Sequence, residues 1–145
     1  MRLVLMITIL LASSALIAKE RVEGIGGFFF KSENPAQLAA WYEEHLGVKQ
    51  TPTTYEEEPW QQTAGPTVYG VFNQKTKYFG ADDQQWMINF RVRDLDAMVA
   101  QLRAADIEVE VESEVYPNGR FARLADPEGN PIQLWEPAVS ASDSN

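Results

Sequence analysis

Trp86, Ile88, Phe90 and Val92 alternate with Gln85, Met87, Asn89 and Arg91, the period of two that predicts an amphipathic strand. Leu95, Met98, Val99, Leu102 and Ala105 then recur at three- and four-residue steps behind Asp94. That spacing predicts a helix with Asp94 as its N-cap. Ile107–Val111 and Arg120–Leu124 are predicted as strands. A turn at Asp126-Pro127-Glu128-Gly129-Asn130 leads into a last strand, where Ile132 and Leu134 alternate with Gln133 and Trp135. Pro at the second turn position and Gly at the fourth suit a tight turn closed by a left-handed residue.

The first half carries the same order. Ile25–Lys31 is β-prone, and Gly26-Gly27 suggests a close backbone approach or a bulge. Asn34, Pro35 and Gln37 are an N-cap, a first-turn proline and a capping-box partner. Leu38, Trp41, Tyr42, His45 and Leu46 follow at helical spacing, and Gly47 ends the helix. His45 lies on that apolar stripe, which favours a core or helix-end role over catalysis. Val48 onward reads as extended, Thr51–Gly65 as loop, and Glu56-Glu57-Glu58 as a solvated part of it. Thr67–Phe72 and Lys77–Phe79 read as a hairpin turning near Asn73-Gln74-Lys75. Asn34 maps onto Asp94 and Val48 onto Ile107 at offsets of about 60, an internal repeat seen twice. The fold class expected is α+β, built from two βαβββ modules in a pseudo-two-fold arrangement. Module one spans about 22–80 and module two about 84–137 of a single domain, 22–137, with 138–145 a flexible tail.

Composition narrows the function. A formal charge of −9 over 145 residues disfavours nucleic acid and anionic membrane as partners. With no cysteine and His45 the single histidine, thiolate nucleophiles, zinc-thiolate sites and multi-histidine metal sites lose their building blocks. Residues 1–18 run from Arg2 through an apolar stretch into small residues, the layout of a signal peptide cleaved after Ala15 or Ala18. The expected location is periplasmic or secreted, without stable membrane insertion after cleavage. The alternatives are an uncleaved N-terminal anchor, or a cytoplasmic protein whose start codon is misassigned.

Three motifs in order, Trp41-Tyr42-Glu43-Glu44-His45-Leu46-Gly47, Val92-Arg93-Asp94-Leu95-Asp96-Ala97 and Asp126–Asn130 with Ile132-Gln133-Leu134-Trp135, resemble the vicinal oxygen chelate superfamily. That superfamily includes glyoxalase I, bleomycin-resistance proteins and extradiol dioxygenases, and the resemblance runs from about Val22 to Pro137. It implies a partly open barrel with helices outside and a ligand cavity within. Its enzymes hold one divalent metal on the first strands of the two modules and on a Glu of the last strand. Here those positions fall on Gly27, Met87 and Gln133. Gly has no side chain, a thioether is a poor ligand for a hard cation, and an amide brings no charge. No cofactor is expected; a weakly bound divalent metal is the alternative.

Gln133 is then a weak metal ligand, a hydrogen-bonding group in a ligand cavity, or a satisfied interior amide. Strand parity gathers a candidate cavity lining from Phe29, Lys31, Met87, Asn89, Arg91, Gln133 and Trp135. Trp60 is either a lid over its mouth or a loop anchor; Arg91 orients a carboxylate or phosphate, or Lys31 and Arg91 reach solvent and pair with surface acids. The expected function is binding of a small aromatic or amphipathic molecule without a metal. The alternatives are a metal-dependent lyase or dioxygenase with unusual ligands, and a dimeric interaction module, with a homodimer as partner state.

Overall fold

The computed structural model describes residues 20–138. The predicted leader at 1–18 and all but the first residue of the predicted tail lie outside them. The chain divides into two compact units, Met1–Phe30 and Lys31–Asn145. In the first, the described residues follow an irregular path. The Phe29 ring folds back onto Gly27, where an added Cβ would lie 2.7 Å from it; the approach is by a side chain and not by backbone. Phe28 and Phe30 place their ring centroids 5.7 Å apart.

The second unit is two layers. Helix α1 is Pro35–Leu46, strand β1 Ile88–Arg91, helix α2 Leu95–Ala104, and strands β2, β3 and β4 are Glu110–Val111, Gly119–Ala125 and Pro131–Pro137. The sheet order is β1-β4-β3-β2. β1 runs parallel to β4, and the other neighbours are antiparallel. One sheet face carries Ala122, Leu124, Ile132 and Leu134 against Leu38 and Tyr42 of α1 and Leu95, Val99 and Leu102 of α2. The positions from the two helices and from β4 lie on predicted apolar stripes or strand faces, while Ala122 and Leu124 come from a predicted strand whose Arg-Phe-Ala-Arg-Leu pattern marks no apolar face.

Both helices begin as their capping residues dictate. Asn34 accepts from the Gln37 backbone N–H, and its amide donates to the Gln37 side chain at 2.9 Å; Asp94 accepts from Ala97 N–H at 2.9 Å. Each entry is also held by a carboxylate from the last hairpin. Glu128 accepts from the Ser32 hydroxyl at 2.7 Å and from the N–H groups of Glu33 and Asn34. Glu136 accepts from Leu95 N–H at 2.6 Å. An anion at a helix N-terminus also meets the positive end of the helix dipole. The three bonds, the Asn34 N–H first, hold the Glu128 carboxyl below the usual glutamate range.

The turn itself is wound around Asp126. Its carboxylate accepts from Glu128 N–H, Asn130 N–H and the Asn130 amide, while Gly129 takes the left-handed conformation at φ 83°. The buried Tyr42 hydroxyl donates to the same carboxylate at 2.9 Å, fixing α1 to the start of β4. Burial first, then the Asp126 charge, pushes the Tyr42 phenol far above the usual tyrosine range.

Module two therefore shows the complete predicted βαβββ order. Module one contributes α1 alone: among the described residues, Ile25–Lys31, the stretch from Val48, Thr67–Phe72 and Lys77–Phe79 form no strands. The two-module barrel is not built from regular strands here. For the hairpin the reason is local competition. Asn73 accepts Lys75 N–H on its side chain and Thr76 N–H on its carbonyl. The Thr76 hydroxyl takes Tyr78 N–H, and Lys77 O takes Gly80 N–H. These four donors are held within successive turns, which compete with a ladder over 75–80.

Candidate functional site

The sheet face turned away from the helices carries a polar row. The register sets Asn89 opposite Gln133, Gln133 opposite Arg123 and Arg123 opposite Glu110. Asn89 donates to the Gln133 side-chain oxygen at 2.8 Å. The Gln133 amide nitrogen in turn donates to the Tyr78 hydroxyl at 2.9 Å. Gln133 is only 4% exposed, so an unmet donor or acceptor here would carry a full desolvation cost, and both its ends are met.

Arg123 closes the row around Tyr78. Its guanidinium sits 4.3 Å from the Tyr78 ring centroid and donates to the Tyr78 carbonyl at 2.8 Å. It pairs with Glu112 at 3.1 Å. A cation over the face of an aromatic ring gains from the ring quadrupole, most where solvent is partly excluded. One rung further along β4, Trp135 is buried, stacks on Phe121 with centroids 6.2 Å apart, and donates from its indole to Asn118 O at 2.8 Å. Beside this row, at the β2 edge, an open depression of about 570 Å³ is lined by Glu108–Glu110 and Arg123–Ala125.

Of the predicted lining, Asn89, Gln133 and Met87 come together, and Trp135 shares their face. Met87 joins through its sulfur, 3.9 Å from an Arg123 nitrogen. Arg91 shares the face but spends its guanidinium on the carbonyls of Thr63 and Ala64. Gly65 makes room for it, since a Cβ there would fall 1.5 Å from the guanidinium. Trp60 does not cover the polar row. It packs edge-on against Phe90 at 6.4 Å, and Phe90 belongs to the opposite sheet face. Lys31 is exposed, and Phe29, 90% exposed, belongs to the other unit.

Three participants escaped sequence reasoning: Arg123, Glu112 and Tyr78. Arg123 was within reach, because a hairpin centred on Glu128 must set residue 123 against residue 133 and 121 against 135. Tyr78 had no such signal, since it arrives on an irregular loop.

The donor set does not fit a divalent cation. At the superfamily's ligand positions stand a glycine, a thioether beside a guanidinium and an amide whose two ends are both engaged. The nearby Arg123 charge opposes a second cation. Among the described residues no three His, Cys, Asp or Glu side chains converge, and no helix is long and apolar enough to cross a membrane.

Comparison with known proteins agrees with this architecture. TnmS3, an antibiotic binding protein from Streptomyces sp. CB03234, aligns over 83% of this chain and 100% of its own, at 21% identity and a TM-score of 0.54. A glyoxalase/bleomycin resistance protein from the same Streptomyces aligns over 37% of this chain at 31% identity and a TM-score of 0.33, and this chain spans 46% of its length. TioX from Micromonospora sp. ML1 aligns over 75% of this chain and 92% of its own, at 15% identity and a TM-score of 0.44. No curated protein matches. A family model described as a glyoxalase-like domain matches residues 27–135, a span holding both helices, β1 to β3, most of β4 and every member of the polar row. The chain belongs to the glyoxalase-like domain family, within the vicinal oxygen chelate superfamily.

Proposed function

We propose that this protein binds a small aromatic or amphipathic molecule on the Asn89–Gln133–Arg123 face of its sheet, holding it without a metal and without chemistry. The observation that carries the reading is Gln133. At the place where the superfamily's enzymes put a carboxylate, this chain buries a neutral amide that donates and accepts. An amide so placed recognises a hydroxyl or carbonyl; it does not supply the charge that stabilises an enediolate or activates oxygen. Arg123 adds a cation for an aromatic face or an anionic substituent, and Trp135 and Phe121 add apolar surface. The antibiotic-binding description of TnmS3 supports binding as the activity of this fold.

The test is a titration with a panel of hydroxylated and plain aromatic compounds, read by intrinsic tryptophan fluorescence, with and without excess chelator. Binding is expected to survive the chelator and to fall about tenfold or more in Gln133→Leu, the loss of one hydrogen bond to a buried group. Affinity that disappears with the chelator, or a panel without a single ligand, would overturn the proposal.

A further inference from the structure

The polar row is complete without a ligand because one of the protein's own side chains completes it. Tyr78 is an aromatic ring bearing a hydroxyl. That hydroxyl accepts from the buried Gln133 amide at 2.9 Å, and its ring lies beneath the Arg123 guanidinium at 4.3 Å. It also stacks on Phe72, with centroids 5.2 Å apart and planes within 10°. Three different recognition elements, an amide donor, a cation and a parallel ring, thus converge on a single phenol. Yet the phenol is not core: Tyr78 remains 39% exposed. It sits on a segment closed by short turns, with no strand ladder to hold it. Segments of that kind open at low free-energy cost relative to the sheet beneath them.

We propose that Tyr78 is a resident guest, a side-chain plug whose contacts are those of the incoming ligand, and that the ligand class is a planar arene bearing a phenolic hydroxyl. This rests on the binding reading above and adds to it a ligand chemistry and a gate. The ligand enters as Tyr78 swings out; its hydroxyl takes the Gln133 amide, its ring takes the Arg123 and Phe72 contacts, and Asn89 holds the Gln133 side chain in place. The plug keeps the Gln133 donor from being buried unmet in the free protein. It also lowers apparent affinity by the fraction of time the site stands open, so a Tyr78 seated about nine-tenths of the time weakens binding about tenfold.

The experiment compares 2-naphthol with 2-methylnaphthalene, the same ring system without the oxygen, on the wild type, Tyr78→Ala, Tyr78→Phe and Gln133→Leu. Circular dichroism and thermal melts confirm that each variant is folded. Tyr78→Ala is expected to bind 2-naphthol about tenfold more tightly than the wild type, and 2-methylnaphthalene with a clearly smaller gain. Tyr78→Phe keeps the ring and loses only the hydroxyl bond. It is expected to gain about threefold, and carries the test alone if the alanine variant does not fold. If the wild type binds 2-naphthol in a Gln133-dependent way and removing Tyr78 brings no gain, the plug is wrong and the binding reading stands. If neither arene binds any of the four proteins, the binding reading fails and the plug with it.

Discussion

Replacing Leu134 with alanine is expected to cost about 3–4 kcal/mol of stability, the largest effect of any single change in the sheet. Leu134 is 0% exposed and lies at the centre of β4, between Phe90 on β1 and Ala122 on β3. Its side chain faces the core shared by both helices. Ala122 offers no bulk to refill the space, so the deletion leaves a cavity as well as losing transfer free energy. Urea denaturation measures it: the midpoint falls while the slope stays unchanged. Because Gln133 and Trp135 flank Leu134 on the opposite face, the same change is expected to loosen the polar row. A loss below about 1.5 kcal/mol would mean that the helices do not pack on β4 as described.

The second large effect is expected at the turn before β4. Asp126→Ala removes the acceptor for the buried Tyr42 hydroxyl and for three donors of the turn itself. A lost hydrogen bond to a buried carboxylate and a lost turn scaffold together cost about 3 kcal/mol. Tyr42→Phe is expected to cost less in the Asp126→Ala background than in the wild type, because the bond from its hydroxyl to Asp126 is already gone; an equal or larger cost would contradict the assignment. Glu128 adds a pH signature to the same junction. Its folded carboxyl titrates below the ordinary glutamate range, so its contribution is present above that range and is lost as pH falls through the lowered folded value. Glu128→Gln is therefore expected to be less stable than the wild type at neutral pH, with the gap closing in acid.

What was legible in the sequence followed from short-range chemistry. Asn34, Pro35 and Asp94 mark helix starts because capping is a contact within three residues. The alternation around Asn89 and Gln133 divides the sheet into a core face and a polar face by period alone. Asp126–Asn130 fixes the β3–β4 register through a five-residue turn. The first half misleads for an equally physical reason. Thr67–Phe72 has strand composition, but a strand exists only with a partner, and the Asn73–Gly80 turns hold the Lys75, Thr76, Tyr78 and Gly80 donors locally. Trp60 was open between lid and anchor because Phe90, its partner, lies thirty residues on. Tyr78 is the same case. Nothing near it in the chain announces that its hydroxyl meets Gln133.

The Gln133 side-chain amide can be watched directly. In ¹H–¹⁵N spectra, with the Gln133 amide pair assigned by its loss in Gln133→Leu, the protein is titrated separately with 2-naphthol and with Mn²⁺. The Gln133 pair is expected to shift progressively with 2-naphthol and to stay sharp at stoichiometric Mn²⁺. A pair that broadens away at one equivalent of Mn²⁺ and ignores the arene would make residue 133 a metal ligand and contradict metal-free binding.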